Sequence, residues 1–131
     1  MASLSTGMSS GVDGILGVGP TDLTQGTVAN TGDTVPTVSD NLFSQGTISE
    51  EVLGVCCIPA GGTDNGELTF GGYDKSAVVR PVDYVSLTTA SPASTFWGID
   101  QSINYGDDII LSSTAGIVDT GTTLILIPTG E

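Results

Sequence analysis

The sequence contains no histidine, and this absence excludes several kinds of catalytic site. Serine-histidine and cysteine-histidine catalysis both need an imidazole as general base, and many zinc sites use histidine as a ligand. Hydrolases of these types and histidine-based metal centres are therefore ruled out. We expect the chain to hold neither a metal ion nor a cofactor.

Basic residues are also scarce. The chain has only Lys75 and Arg80 beside 15 acidic residues, so its net charge is −13. Nucleic acids and anionic membrane surfaces are bound through cationic patches, so we expect neither as a partner. No apolar run approaches the ~20 residues that span a bilayer, so we expect no membrane insertion. The acidity either serves solubility or indicates a working pH well below 7, where protonation relieves the self-repulsion.

The only two cysteines, Cys56 and Cys57, are adjacent. Neighbouring side chains on a strand point to opposite faces, so a bond between them would be strained. We expect one thiol to be buried as a small hydrophobe and the other to be exposed. An intermolecular disulfide through Cys56 or Cys57 is the alternative. The cysteines form no disulfide framework, and from the polar residues after Met1 we expect no signal peptide in this stretch.

The composition, 38% hydrophobic with 19 glycines in 131 residues, indicates a β-rich fold with a real core. Alternating and β-branched runs predict antiparallel strands and hairpins, and Pro36 predicts one short helix near residues 36–45. The predicted strands cover residues 11–20, 52–58, 67–70, 78–87, 96–105, 109–111, 116–118 and 123–127. A turn at residues 64–66 joins the second and third of them. The fold class is therefore mainly β.

The residues around Asp119 are the most informative in the chain. The run Ile117-Val118-Asp119-Thr120-Gly121-Thr122 sets an aspartate and a Thr-Gly-Thr between apolar, β-branched stretches. This pattern places one carboxylate at a tight turn between strands. Taken alone, such an aspartate is a turn residue that accepts backbone hydrogen bonds.

Five segments together resemble the pepsin-like aspartic endopeptidases, and most strongly the type that basidiomycete fungi secrete. They occur in the family's order and extend over essentially the whole chain. The segments are Val12-Asp13-Gly14-Ile15-Leu16-Gly17, Leu42-Phe43-Ser44-Gln45-Gly46, Gly66-Glu67-Leu68-Thr69-Phe70-Gly71-Gly72, Phe96-Trp97-Gly98-Ile99 and the run around Asp119.

The resemblance implies the middle of a bilobal fold in which each lobe supplies one Asp-Thr/Ser-Gly turn. Residues 1–131 are then a single domain. About 11–50 resemble the end of the first lobe, about 51–90 the sheet between lobes, and about 91–131 the start of the second lobe. Only the second Asp-Thr-Gly is present, and the first one and the flap hairpin have no counterpart. The resemblance also implies a secreted, extracellular protein.

Roles for four residues follow from the same resemblance. Asp119 would be one of two carboxylates that share a proton, and Gly121 would let backbone amides approach it. Thr120 would support the turn across the two-fold axis, and Thr122 would hydrogen-bond the outer carboxylate oxygen. These residues are the predicted catalytic half-site.

Two functional hypotheses remain open. In the first, the chain is non-catalytic by itself and acts by recognising another protein, such as a host or immune-cell receptor, in an immunomodulatory role. In the second, it is an acid aspartic endopeptidase, active as a homodimer that shares Asp119 or when complemented by the missing segments. The apolar strand predicted at residues 123–127 needs cover, so we also expect homo-oligomers through uncovered strands.

Overall fold

The computed structural model describes residues 14–58, 61 and 66–128. The chain divides into two compact units, Met1–Val82 and Asp83–Glu131. The described elements are antiparallel strand pairs, one α-helix and short 3-10 turns, which confirms the predicted mainly β fold class. The predicted single-domain organisation stays a prediction.

Where the structure describes it, the first unit contains one α-helix and one β-hairpin. Its elements in chain order are a 3-10 turn at Thr21–Thr24, helix α1 at Val38–Ser44, strand β1 at Leu53–Cys57, strand β2 at Gly66–Phe70 and a 3-10 turn at Lys75–Ala77. The predicted helix near 36–45 is therefore confirmed.

Helix α1 begins at a reciprocal cap. The hydroxyl of Thr37 accepts from the Asp40 N–H, while the Asp40 carboxylate accepts from the Thr37 N–H at 2.6 Å. The same carboxylate oxygen accepts from the Thr21 hydroxyl at 2.6 Å. The helix ends before Gly46, whose positive φ of 70° favours glycine. One aspartate therefore joins the first 3-10 turn to α1.

Strands β1 and β2 pair antiparallel, from Leu53 opposite Phe70 to Cys57 opposite Gly66. A side chain at Gly66 would overlap the Cys56 carbonyl oxygen, and its φ of 124° also requires glycine. Asp64 and Asn65 of the predicted turn lie outside the described residues. The expectation that one thiol is buried is wrong, because both cysteines are exposed. Alternation sends the two thiols to opposite faces of the two-stranded sheet, but a thiol is buried only where another element covers its face.

The second unit is a longer hairpin. A 3-10 turn at Ala93–Thr95 precedes strand β3 at Gly98–Tyr105, which pairs antiparallel with strand β4 at Asp108–Ile117. Gly106 makes the reversal with a φ of 60°. The sequence predicted two short strands at 109–111 and 116–118, whereas β4 is continuous through Ile117, with register shifts near Ile103.

Among the described residues, the buried positions are Thr88, Ala93 and Gly98, all in the second unit. The Thr88 N–H donates to the Gly98 carbonyl at 2.8 Å. A side chain at Gly98 would overlap the Ala93 carbonyl oxygen, so only glycine allows this close approach. These three residues form the packed centre of the unit.

Three predicted strands are wrong. Residues 14–20, 78–87 and 123–127 contain no strand, while residues 11–13 lie outside the described part of the chain. Their apolar side chains are nevertheless exposed: Val79 is 97% and Ile125 88% exposed. A strand needs a paired neighbour, and the described strands pair only as β1 with β2 and β3 with β4, so β propensity alone did not make these segments strands.

Candidate functional site

Asp119 lies in the turn that follows β4. The Val118 N–H, one residue before it, donates to the Trp97 carbonyl at 2.9 Å. Ile117 is the register partner of Gly98 at the start of β3. The last strand residue before the turn is thus fixed to the packed centre of the unit, and this fixes the place where the turn begins.

Both carboxylate oxygens of Asp119 accept a hydrogen bond from within the turn. The Gly121 N–H donates to Oδ1 at 2.9 Å. The Thr122 hydroxyl donates to Oδ2 at 2.7 Å. The structure therefore brings together three of the four predicted site residues, and it holds the carboxylate plane in one orientation.

These bonds lower the pKa of Asp119 below its ordinary value. The Thr122 hydroxyl has the largest effect and the Gly121 N–H the next. Both donors stabilise the ionised form, because each points its hydrogen at a carboxylate oxygen. The side chain is exposed, so water screens the effect. Chemically, the group is an oriented anion able to accept a proton, with no acid beside it in the turn.

Gly121 and Thr120 contribute differently. A Cβ at Gly121 would lie 3.3 Å from Asp119 Oδ1, which is a tight contact beside the bond it donates. Thr120 is exposed in the turn. Its predicted support of a second turn across a two-fold axis involves another Asp-Thr-Gly, so that role and the catalytic role of all four residues stay predictions.

A supporting contact that the sequence reasoning missed lies in the packed centre of the second unit. The buried Thr88 hydroxyl donates to Asp100 Oδ1 at 2.8 Å and accepts from the Ala90 N–H at 3.2 Å. Together with the backbone bond from Thr88 to Gly98, it holds Thr88 against the start of β3, where Gly98 pairs with Ile117. The two partners are twelve residues apart in unrelated patterns, so no local signal in the sequence could have found them.

An uncharged groove of about 530 Å³ also lies in the second unit. Its lining includes Phe96, Ile117 and Leu126. The first unit has a separate cavity of about 620 Å³, where Cys56, Glu67 and Tyr73 contribute to the wall. Within residues 14–58, 61 and 66–128, no three histidine, cysteine, aspartate or glutamate side chains gather closely enough to hold a metal ion. The same part of the chain contains no helix long and apolar enough to cross a membrane.

Comparison with known families gives one match over nearly the whole chain. The model of the family described as eukaryotic aspartyl protease matches residues 2–131. This match includes the Asp119 turn and every described element of both units.

Individual relatives point the same way. The chain is 56% identical to polyporopepsin of Irpex lacteus over 97% of its length, which is 38% of that relative. It is 37% identical to rhizopuspepsin-1 of Rhizopus niveus over 89% of its length, or 28% of the relative. Cathepsin E of Cavia porcellus is 34% identical over 91% of the chain, or 28% of that relative. The chain thus spans well under half of each.

A solved structure agrees with these sequence matches. The crystal structure of the aspartic proteinase from Irpex lacteus superposes with a TM-score of 0.86 and 56% identity. The superposition covers 92% of this chain and 37% of that one.

Proposed function

Because the chain belongs to the eukaryotic aspartyl protease family, we propose that it carries one half of an acid endopeptidase centre and cleaves no peptide by itself. The observation that supports this most directly is the Asp119 turn. Its carboxylate is oriented by two donors, at 2.9 and 2.7 Å, and nothing in the turn supplies a second acid. The Asp-Thr-Gly triplet occurs once in the sequence.

The chemistry explains why one carboxylate is not enough. In aspartic proteases two carboxyl groups share one proton, because two carboxyl groups ~3 Å apart cannot both be ionised. The ionised member takes a proton from the attacking water, and the protonated member donates to the substrate carbonyl. Asp119, whose pKa is lowered by Thr122 and Gly121, suits the ionised role. A second, protonated carboxyl is missing from the turn.

We further propose that the chain by itself acts by binding another polypeptide. Large apolar side chains are exposed in both units, among them Ile15, Tyr84, Tyr105 and Ile109. Exposed apolar groups of this extent are typical of surfaces that meet a partner. Recognition of a host or immune-cell receptor, with an immunomodulatory effect, is the more specific form of this proposal. It predicts binding that survives loss of the Asp119 carboxylate.

We propose a secreted, extracellular location for the protein. The fungal relatives at 56% and 37% identity are pepsin-like enzymes, a family that is generally secreted. The low isoelectric point of about 4.1 suits an acidic medium, since the charge of −13 at neutral pH falls as carboxylates protonate. Immunodetection of the protein in culture medium and in cell extract tests the location.

The second candidate function is an acid aspartic endopeptidase whose other carboxylate comes from elsewhere. A second copy would contribute its own Asp119, or the segments present in the longer relatives would contribute the first-lobe aspartate. The geometry that favours this candidate is the same turn, which is already built and oriented at Asp119. Cleavage that requires Asp119 and responds to pepstatin-type inhibitors would be its signature.

A cleavage assay on the chain alone separates these proposals. A denatured protein substrate is incubated at pH 3 to 5 with the wild type, with Asp119→Asn and with Asp107→Asn, which removes the same charge from the β3–β4 turn. We expect no cleavage by any of the three. Cleavage by the wild type and Asp107→Asn that is lost in Asp119→Asn would replace the first proposal with the homodimeric enzyme.

A further inference from the structure

Thr88 is the one buried polar residue in the part of the chain that the structure describes, and it is 6% exposed. Its hydroxyl donates to Asp100 Oδ1 at 2.8 Å and accepts from the Ala90 N–H at 3.2 Å. Its backbone N–H donates to the Gly98 carbonyl at 2.8 Å. The residue is therefore attached to β3 at two positions, once through its side chain and once through its backbone.

The methyl group of Thr88 also lies against β3. A Cβ at Gly98 would lie 2.9 Å from Thr88 Cγ2, and it would overlap the Ala93 carbonyl oxygen. The methyl group therefore occupies space that is free only because Gly98 has no side chain. Hydroxyl, methyl and N–H together hold Thr88 in one position relative to the start of β3.

The start of β3 is hydrogen-bonded along both of its edges. Consecutive carbonyl groups of an extended chain point to opposite sides. The Trp97 carbonyl accepts from the Val118 N–H at 2.9 Å, and the next carbonyl, that of Gly98, accepts from Thr88. The backbone at residues 97–98 thus lies between Thr88 and Val118. Val118 is the residue immediately before Asp119.

We propose that Thr88 is a positioning residue for Asp119, which acts through the start of β3 and is itself held by Asp100. This role rests on the proposed half-site of an acid endopeptidase and names a further residue for it. The bonds to the Asp119 carboxylate itself come from Gly121 and Thr122. Thr88 therefore sets where the turn lies and leaves the orientation of the carboxylate within the turn unchanged.

The position of the turn matters because the chemistry needs two carboxyl groups ~3 Å apart. A shift of a catalytic group by ~1 Å can reduce the rate ~100-fold. A larger separation also weakens the coupling of the two groups, so the lower apparent pKa of the pair rises and the upper one falls. The active form carries one proton, so its pH range becomes narrower on both sides. Partial unfolding would lower the rate and leave this range unchanged wherever the protein stays folded.

Four variants separate this role from a general loss of stability. Thr88→Val keeps the methyl packing and removes the hydroxyl, and Asp100→Ala removes the acceptor from an exposed position. Asp100→Asn keeps an oxygen that can accept the same bond. Thr95→Val removes an exposed hydroxyl of the same unit, which donates to the Pro92 carbonyl, and serves as the control. Trp97 fluorescence over the pH range of the assay checks that each variant is folded.

The first measurement uses the chain alone and needs no activity. Hydrogen exchange by NMR follows the Val118 amide relative to the other amides of β3 and β4. We expect it to exchange about fivefold faster in Thr88→Val and in Asp100→Ala, because the carbonyl that accepts its bond is less firmly held. Asp100→Asn and Thr95→Val should match the wild type. An unchanged Val118 amide in both Thr88→Val and Asp100→Ala, or acceleration shared equally by all amides of the hairpin, would overturn the proposal.

The second measurement is peptide cleavage after complementation with the segments of polyporopepsin that have no counterpart in the chain. We expect kcat to fall about tenfold in Thr88→Val and in Asp100→Ala, with KM little changed and a narrower pH range. The double variant should be no worse than either single one, because both remove the same bond. A wild-type pH range in both single variants would overturn the positioning role.

Failure of the proposed function is recognised separately. It would appear as absence of cleavage by the complemented wild type while the matching polyporopepsin fragment is active. The exchange of the Val118 amide would still decide whether Thr88 holds the residue that precedes the turn.

Discussion

The two units of the chain differ in what stabilises each of them internally. The second unit has a packed centre, where Thr88, Ala93 and Gly98 are buried beneath a hairpin of eight- and ten-residue strands. The first unit has five-residue strands and no buried residue in its described part, and it relies on side-chain hydrogen bonds. The Asp119 turn belongs to the packed unit, so its position is determined by backbone packing rather than by surface contacts.

The largest effect is expected where the packed centre admits no side chain. Gly98→Ala places a Cβ against the Ala93 carbonyl oxygen, which belongs to the backbone and cannot move aside. We therefore expect the free energy of unfolding to fall by about 3 kcal/mol. The control Gly116→Ala lies in the same hairpin but meets only the end of the Gln101 side chain. Fluorescence of Trp97, the single tryptophan, reports unfolding of this unit. Equal losses in the two variants would mean that the centre is not packed as described.

A smaller effect is expected for the buried hydroxyl of the same unit. Thr88→Val keeps the shape of the side chain but removes the donor to Asp100 and the acceptor for the Ala90 N–H. We therefore expect the free energy of unfolding to fall by about 1 kcal/mol. Thr95→Val removes an exposed hydroxyl bond to the Pro92 carbonyl and should cost less than about 0.5 kcal/mol. Denaturant unfolding followed at Trp97 compares the two.

In the first unit the corresponding test is the helix cap. Thr37→Ala removes the side-chain acceptor at the start of α1, for which we expect a loss of about 1 kcal/mol. Hydrogen exchange of the α1 amides measures it locally, whereas Trp97 fluorescence in the other unit should not change. A shift of the Trp97 signal as large as that of the α1 amides would contradict the separation into two units.

The cap also predicts how the first unit responds to acid. Hydrogen bonds from Thr21 and the Thr37 backbone lower the pKa of Asp40 to about 2. A carboxyl whose pKa is lower in the folded state stabilises that state above its unfolded pKa of about 3.8, and the contribution is lost as pH falls towards 2. We therefore expect α1 protection to persist at pH 4 and to decrease between pH 3.8 and 2 in hydrogen-exchange measurements.

Glu51 should respond in the opposite direction and more weakly. Its pKa is raised, first by its hydrogen-bonding interaction with Asp40. A raised carboxyl pKa means that the ionised form is disfavoured in the folded state, so Glu51 destabilises at neutral pH and ceases to do so in acid. Glu51→Gln should raise α1 protection slightly at pH 7 and leave it unchanged below the unfolded pKa of about 4.5. Glu50→Gln, which removes the neighbouring charge, is the control.

The smallest expected effect is a change in the pKa of Asp119 in its turn. Thr122→Val removes the main cause of the lowered pKa of Asp119, so its carboxyl should titrate closer to the ordinary value. Carbon-detected NMR of the side-chain carboxyl follows this change, and Thr123→Val is a neighbouring control. An unchanged titration in Thr122→Val would mean that the hydroxyl does not hold Oδ2 in solution.

The sequence predicted what local pattern and turn chemistry determine. The helix near 36–45 follows from Pro36, and the hairpins follow from alternation, so these elements are present. The strand predicted at 78–87 failed because strand formation depends on a distant partner that a local pattern does not reveal. The same reason explains why the Thr88–Asp100 bond went unpredicted. The motif located Asp119, but the bond from Val118 to Trp97 that fixes the turn is a tertiary feature.

The central claim, that the Asp119 turn is a competent half of an acid endopeptidase centre, is tested most directly by complementation. The chain is coexpressed with the segments of polyporopepsin that have no counterpart in it, beside the matching polyporopepsin fragment as positive control. Peptide cleavage is then measured at pH 3 to 5. We predict activity with the wild-type chain and none with Asp119→Asn. If the polyporopepsin fragment restores cleavage and the wild-type chain does not, the claim is contradicted.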